Sequence, residues 1–506
     1  MRTMVNKNNS KTYPESRIVS WTEAPLTTTL KALEELERRR GHRAIRKTAR
    51  SCNPKKLPGI LPILITLLVL AQSLNAQSQL DLYIKDALAN NLVLQQKNVT
   101  LEKSLLALKD AKSYYLPTSS FDGSYTLSQG GRTIAIPVGD LLNPVYQTLN
   151  QLTASDKFPT VQNVEEQLIP NNFYDVRLKT TMPLYNPALK YNKNVKQQEV
   201  KLKENDISIY KRELVKAIKQ SYYNILMADK AIHIYTSALA VVNENLRTNQ
   251  SLLQNGKGLP AYVSRAEAEV KRVETELSNA ENEKQKAIAY FNSLRNTALS
   301  DSVTLEEINL PLETQKAINE YAENINGREE IKSLSIAKDI NYQTLKFNKA
   351  YHAPRVNAFL DLAMQDFNFA VKKNSFFYLG GVQFNVPIFA GNRNLNAIKQ
   401  SELDIRSIDI QDKDLRQNLE LAAFTSKSNA KTSYNNFLNS IKQEESATKY
   451  FKLIDRGYKE GINNYIELLD ARNQLTQSQL QKELTRYRLL AALADYERQT
   501  SSYNFN

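Results

Sequence analysis

Cysteine, histidine and glycine are scarce in this sequence of 506 residues. The one cysteine, Cys52, cannot form an internal disulfide, and the three histidines lie too far apart in sequence to form a local zinc motif. We therefore expect no metal site and no cofactor. Only 14 residues are glycine, well below the average share of about 7%, whereas Leu, Ala, Lys, Glu, Gln and Asn are abundant. This composition favours long helices in a chain with enough length for about three domains.

Positive charge is concentrated at the start of the chain. The formal net charge is +14, and residues 1–56 carry 14 basic and 5 acidic side chains, whereas residues 57–76 carry none. The remaining residues hold 53 basic and 48 acidic side chains, which is an ordinary solvated surface. The basic composition therefore does not indicate a nucleic-acid partner, and we expect none.

An uncharged apolar run at 57–71, LPGILPILITLLVLA, follows two lysines and precedes the small residues SLNA at 73–76. This order is typical of a secretory signal and predicts cleavage after Ala76. An uncleaved membrane anchor is the alternative, although such a span needs about 20 apolar residues. Residues 1–50 reflect either a start site placed too far upstream or a short regulatory extension. Residues 1–76 are thus predicted to be a basic extension with a signal peptide.

Two long segments, 188–255 and 392–456, contain neither glycine nor proline. Each is followed by a second segment of this kind, at 261–310 and 462–506. The lengths predict two hairpins of helices far longer than the globular average. Gly256 and Gly461 fall at the two hairpin turns, where glycine gives the backbone freedom that a tight reversal needs.

Shorter segments before each hairpin alternate apolar and polar residues, a period that predicts strands with two unlike faces. The expected order in each repeat is helix, strand, loop, strand, long helix, turn, long helix, so the fold class is mainly α with a small β part. The predicted first repeat, 77–320, has strands at about 118–128 and 172–183 and its hairpin at about 188–300. The predicted second repeat, 321–506, has strands at about 355–365 and 376–388 and its hairpin at about 392–500.

Four strands are too few to close a membrane barrel, for which about eight is the minimum. Strands that span a membrane would therefore have to be pooled between subunits, because an open sheet edge is not tolerated in lipid. A soluble sheet on a helical platform is the alternative. Export, the unlike strand faces and the helix lengths favour the membrane.

Two short sequence motifs resemble motifs of a known protein family. The segment GINNYIELLDA at 461–471 resembles the second hairpin motif of the TolC family of outer-membrane efflux and secretion channels, and VPIFAG at 386–391 is similar to the family's joint between strand and helix. The resemblance implies a homotrimer in outer-membrane lipid, with a shared twelve-stranded β-barrel continued by a periplasmic α-helical barrel. It also implies an exit duct for multidrug efflux or type I secretion rather than an enzyme. Its partners would be a periplasmic adaptor and an inner-membrane pump of RND or ABC type.

The same resemblance assigns roles at the hairpin tip. Glu467 and Asp470 match the acidic ring that narrows the family's pore, although an acidic pair on a helix can also be a plain solvated face. Tyr458 matches the family's tyrosine beside the turn. Asn463 and Tyr262 stand where the family can have a charged latch, so we expect neutral hydrogen bonds or packing to hold this tip, with gating that depends little on salt.

Two further expectations concern the loops and the competing functions. The first loop between strands, about 130–171, is much longer than the second, about 365–374, and is expected to be either an extracellular loop that could cap a barrel mouth or a plain surface loop. A periplasmic coiled-coil scaffold or adaptor without a pore is the main functional alternative. An enzyme is disfavoured, since Gly256-Lys257-Gly258 has no preceding strand and no phosphate-loop Lys-Ser/Thr.

Overall fold

The computed structural model describes residues 78–308 and 325–505. The predicted signal peptide, its cleavage after Ala76 and the predicted boundary between the repeats at 320 lie outside these ranges.

The duplicated, mainly helical fold with a small β part is confirmed. The elements of the first repeat are α1 (Gln79–Asn90), α2 (Leu92–Ser113), β1 (Thr118–Thr126), β2 (Thr133–Ile136), α3 (Val138–Thr153), β3 (Val164–Gln167), β4 (Phe173–Tyr185), α4 (Pro187–Gln254) and α5 (Pro260–Arg295). Those of the second are α6 (Glu329–Lys349), β5 (Arg355–Phe367), β6 (Phe376–Asn385), α7 (Arg393–Lys459) and α8 (Tyr465–Thr500).

The four main strands form one antiparallel sheet in the order β1-β4-β5-β6, so β1 and β6 are its edges. Its two faces differ in polarity because neighbouring strands pair like with like. Leu178 lies opposite Leu362 on the apolar face, whereas Lys179 lies opposite Asp361 on the polar face. The apolar face also presents Phe121, Val176, Leu360, Met364, Tyr378, Val382 and Phe384.

The helices α2, α4, α6 and α7 pack side by side in that order, and α4 and α7 run on into their hairpins with α5 and α8. Where α4 meets α1, α5 and α8, the core is closed by Ile218, Tyr222, Ile225 and Phe291, all fully buried. Asp229 follows Ile225 by four residues on α4, and its carboxylate is paired with Lys284 Nζ of α5 at 2.7 Å. Among the described helices, α4 alone is long and apolar enough to cross a membrane by length and composition, and 28% of its most apolar 18 residues are buried.

The long first loop contains folded structure that its glycines and prolines did not suggest. The ribbon β2-β3 and the helix α3 occupy most of it. Asn143 and Asn150 of α3 satisfy the backbone of the returning chain at Val161 and Phe158, with hydrogen bonds of 2.8 to 3.1 Å. Leu141 and Leu152 remain on the outer face of α3, which gives the insertion an exposed apolar surface.

A cluster of charges ties the end of α8 to the start of α6. Glu330 Oε1 accepts hydrogen bonds from Arg498 Nη2 at 2.7 Å and from Arg328 Nη2 at 2.9 Å, and Arg328 Nη1 donates to the carbonyl of Gln499 at 2.9 Å. Burial alone would raise the pKa of Glu330, but the two guanidinium groups outweigh it and lower that pKa to about 2.

Glu330→Gln is expected to lower stability at pH 7 by roughly 2–3 kcal/mol, because the carboxylate has a lower pKa folded than unfolded. A depressed pKa contributes stability above the unfolded value of about 4.3 and loses it as the pH falls through about 2. Unfolding measured from pH 7 to 2 should therefore show a shallower acid loss in the variant than in the wild type. Glu199→Gln, at a partly exposed pair with Lys196, is the control, and equal acid slopes for Glu330→Gln and the wild type would contradict the assignment.

Candidate functional site at the hairpin tips

Both hairpin turns depend on glycine in the left-handed region. Gly256 has φ +69° and Gly461 has φ +77°, and the space around both is open, so conformation rather than crowding selects glycine there. The backbone N–H of Gly461 donates to the carbonyl of Tyr458 at 3.1 Å, which closes the end of α7. α8 then begins four residues after the glycine.

Glu467 caps the start of α8. The backbone N–H of Glu467 donates to Asn464 Oδ1 at 3.0 Å, and Glu467 Oε2 accepts from the backbone N–H of Asn464 at 3.3 Å, a reciprocal capping box. Asn463 Nδ2 donates to the same carboxylate oxygen at 2.7 Å. Asp470 lies one turn further along, and both carboxylates are exposed. The partner of Asn463 is therefore within its own turn.

Three tyrosines join the two hairpins near their tips. The ring of Tyr465 at the start of α8 lies 5.6 Å from that of Tyr262 on α5 and 6.3 Å from that of Tyr458 on α7, measured between centroids. Tyr465 is buried with Ala266 and Leu468 in one apolar cluster. Burial raises the pKa of Tyr458 and of Tyr465 above the usual 10, so both rings remain neutral at physiological pH.

A charged contact between the repeats lies about two turns from the tip. Arg472 of α8 and Glu269 of α5 are 2% and 4% exposed, and their side chains form an ion pair. Arg272 Nη2 contacts the same Glu269 Oε1 at 2.5 Å, and both arginines donate to Asn473 Oδ1, at 2.6 Å from Arg472 and 2.8 Å from Arg272. Burial lowers the pKa of Arg472, and Arg272 lowers it further by repulsion, while Glu269 opposes both.

A charged contact between the repeats near the tip therefore accompanies the neutral packing that the sequence led us to expect. Asn463 and Tyr262 do not form a charged latch, but Arg472 and Glu269 do form a charged contact, in a place protected from water. The position of this ion pair follows from the alignment of the two hairpins, since Ala266 and Ala471 lie equally far beyond their turn glycines. The sequence of either helix alone did not predict the pair, because Glu269 and Arg472 each have the pattern of an ordinary solvated charge.

Apolar side chains at the tip are the other feature that sequence reasoning missed. Ile462 and Ile466 are 76% and 61% exposed. Ile466 and Asp470 are four residues apart on α8, so they lie on one face of the helix. The face that carries Asp470 therefore also carries an exposed apolar side chain.

Gly457, inside α7, leaves room for the turn that follows. A Cβ at this position would lie 1.9 Å from Asn463 Oδ1. The carbonyl of Gly457 accepts hydrogen bonds from the N–H groups of Ile462 and Asn463, at 2.8 and 3.2 Å. We expect Gly457→Ala to displace Asn463 and break its hydrogen bond to Glu467, at a cost of about 1–2 kcal/mol in tip stability. Limited proteolysis of the turn should be faster in Gly457→Ala than in Ala447→Gly, the control on the same helix. An unchanged cleavage rate would show that the Asn463 side chain adopts another conformation without destabilising the turn.

Comparison with known proteins identifies the class. Residues 330–497 match the family model described as outer membrane efflux protein, and no curated protein matches the chain in sequence. A membrane protein from Pseudomonas aeruginosa superposes with a TM-score of 0.68 at 14% identity, covering 84% of this chain and 94% of that one. The outer membrane protein VceC from Vibrio cholerae gives 0.66 at 14%, covering 83% and 96%. The CmeC outer membrane channel of Campylobacter jejuni gives 0.65 at 15%, covering 84% and 85%.

These likenesses show a fold shared with outer-membrane channels across both repeats of this chain. The match to the family model of outer membrane efflux proteins covers residues 330–497, which include the tip of the second hairpin. The resemblance to TolC-family channels that the motifs at 386–391 and 461–471 indicated is confirmed. The family and the fold are those of channels rather than enzymes.

Proposed function

We propose that three copies of this protein form an exit duct through the outer membrane, opened at the helical tips by a periplasmic adaptor and an inner-membrane pump of RND or ABC type. The observation that carries the proposal is a four-stranded sheet with one apolar face and two unpaired edges, on helices about 100 Å long. The duct performs no catalysis. Type I secretion substrates or drugs would pass through the same conduit.

The sheet supports the shared barrel by its topology. In lipid every strand edge must be paired, so β1 and β6 require partners from other copies. The strands alternate in direction, and β6 of one copy therefore meets β1 of the next in antiparallel orientation. Three copies would supply twelve strands, with the apolar face toward lipid and the polar face, which carries Asp122, Arg177 and Asp361, toward the lumen.

The helical layer next to the sheet also has two edges that would meet the edges of neighbouring copies. α2 and α7 are the edges of the helical layer, and each presents an apolar stripe that nothing covers within the described chain. The stripe of α2 consists of Leu92, Val99 and Leu106, which are seven residues apart. That of α7 consists of Leu403, Ile410, Leu421 and Phe424. Each side chain in these two edge stripes is at least 60% exposed, and seven-residue spacing is typical of helices that pack against one another.

At the tip, threefold symmetry would bring three copies of Glu467 and Asp470 around the axis. Six carboxylates attract cations and disfavour anions, and a ring of Ile466 beside them would form an apolar constriction. The contact of Arg472 with Glu269 would hold α8 against α5 and keep this ring narrow. Opening would then require the second hairpin to separate from the first.

Glu467→Ala/Asp470→Ala is expected to raise single-channel conductance several-fold and to reduce cation preference, because the ring loses its negative charge and part of its bulk. Reversal potentials in a potassium chloride gradient across a planar bilayer measure this directly. Glu244→Ala, an exposed acid of α4 paired with Arg247, is the control. Cation preference unchanged in the double variant would place the constriction elsewhere.

A further inference from the structure

Helix α3 of the first loop carries an apolar stripe that nothing covers within the described chain. The stripe consists of Leu141, Val145 and Leu152, each more than half exposed. With Thr148 included, its positions are four, three and four residues apart, which is the spacing at which helices pack on other helices. The opposite side of α3 binds the returning chain of the loop, so this α3 stripe is a separate surface.

The same part of α3 carries no charge. No residue from Leu141 to Ser155 is acidic or basic, so a charged partner would find no counter-charge there. A surface that meets copies of itself around an axis brings like groups together, and like charges would then repel. The α3 stripe avoids this repulsion and therefore suits contact with other copies of itself.

The position of α3 argues against lipid as the cover. Tyr125 of β1 and Tyr174 of β4 lie opposite each other near the ends of their strands, on the face of the sheet that carries Leu178. Both rings stack on Phe369, with centroids 4.8 and 6.0 Å away. Aromatic rings at the ends of membrane strands mark the level where hydrocarbon meets headgroups. The chain reaches α3 only after it has passed this level and formed β2.

The insertion also stands where two copies would meet. β1 is an edge strand, and in the proposed trimer it pairs with β6 of the next copy, so the insertion continues that interface. Gly130 and Gly131, with φ +76° and +107°, bend the chain between β1 and β2. Twelve strands about 4.8 Å apart and tilted close a barrel with a radius of roughly 12 Å, whereas residues 127–137 would span about 36 Å when extended. The connection is therefore long enough for α3 to reach the axis.

We propose that the α3 stripes of three copies pack on one another around the threefold axis and narrow the outer mouth of the duct. The proposal rests on the proposed function, because that function supplies the three copies and the barrel. The barrel and the edge stripes hold the copies together without this contact, so its loss would open the mouth and leave the mass of the complex unchanged. The duct would then have two constrictions in series, one at the helical tips and one at the mouth.

Cross-linking of single cysteines in a bilayer tests the contact. Cys52 is the only cysteine of the chain, and Cys52→Ser provides the background. We expect a short bismaleimide to join Val145→Cys chains in pairs, because three identical thiols would surround the axis. Gln147→Cys is the matched control, since Gln147 is exposed on α3 but lies two residues away and faces another direction. The control should not cross-link, and neither should Val145→Cys combined with Leu403→Asp/Ile410→Asp.

The outcomes separate this inference from the duct itself. Equal cross-linking at positions 145 and 147, or none at either in a complex with the mass of three copies, would overturn only the α3 contact. A mass of one copy for the wild type would overturn the duct and the contact together. Labelling of Val145→Cys with a water-soluble maleimide identifies other occupants, each of which overturns the inference. Full labelling would show a stripe left open to another protein, whereas protection without cross-linking would show a stripe covered by lipid.

Conductance tests the narrowing of the mouth. Once Glu269→Gln has removed the contact that holds the tip, the mouth becomes the narrower of the two constrictions. Leu141→Asp/Leu152→Asp should then raise conductance about twofold or more, whereas with the tip closed it should change little. Gln147→Asp/Gln151→Asp adds the same charge elsewhere on α3 and is the control. Equal conductance of the two double variants in the Glu269→Gln background would overturn the narrowing.

Discussion

Glu269→Gln is expected to open the tip of the closed channel, with the largest effect of any single substitution at this site. The change leaves the guanidinium of Arg472, which is 2% exposed, without its carboxylate in a place that water does not reach. Removing one partner of a buried ion pair costs about 3–5 kcal/mol. Separation of α8 from α5 would return Arg472 to water and remove this cost. The substitution therefore lowers the free energy of the open arrangement relative to that of the closed one. Spontaneous openings in a planar bilayer should become frequent.

The partner substitution provides an internal comparison. Arg472→Met leaves Glu269 still paired with Arg272, whose side chain is about half exposed, so we expect a smaller effect than with Glu269→Gln. The double variant Glu269→Gln/Arg472→Met leaves no unpaired buried charge and should recover most of the closed state. Arg247→Met, at an exposed pair of α4, should cost less than about 1 kcal/mol. If Glu269→Gln opens no more often than Arg247→Met, the charged contact does not hold the tip closed.

Leu403→Asp/Ile410→Asp is expected to abolish assembly. These side chains belong to the edge stripe of α7, which we propose to pack on the edge stripe of α2 in the next copy. Burial of each is worth about 1.5–3 kcal/mol, and three subunits would bury six such side chains. A carboxylate in their place removes that gain and adds an unpaired charge to the interface. The mass of the purified complex, measured by light scattering in detergent, should fall from three copies to one.

Leu152→Asp provides the control for this experiment. Leu152 lies on α3 and is 78% exposed, so it matches the stripe residues in exposure while standing outside both edge stripes. We expect this variant to keep the mass of three copies. A Leu403→Asp/Ile410→Asp complex of unchanged mass would show that the subunits meet along other surfaces.

The regular parts of the fold were predictable because glycine and proline are so rare here. The run free of both from residue 188 predicts α4 to within one residue of each end, and Pro183 and Pro387 lie within two residues of the ends of β4 and β6. The return helix α5 stops earlier than its run suggests, because Asn296 takes the left-handed conformation, with φ 59°, that ends a helix. Helix α3 was missed because its stability comes from Asn143 and Asn150, which bond to chain that returns many residues later.

The candidate site divides in a similar way. Motif and spacing indicated the tip residues, including Glu467 and Asp470, since these lie within one turn of one helix. The pairing of Arg472 with Glu269 joins residues about 200 positions apart, and only the packing of the two hairpins brings them together. Ile466 lacked a signal for another reason: an apolar residue among Tyr465, Leu468 and Leu469 is expected to be buried with them, and it is exposed.

Single-channel recording of the purified protein in a planar bilayer shows whether the protein forms a channel, provided that the same sample has the mass of three copies. We expect discrete pores of small conductance with a preference for cations, because a closed tip would narrow the duct and the acidic ring would remain. Folded protein with the mass of three copies that gives no conductance, even as Glu269→Gln, would contradict the channel and favour a periplasmic scaffold.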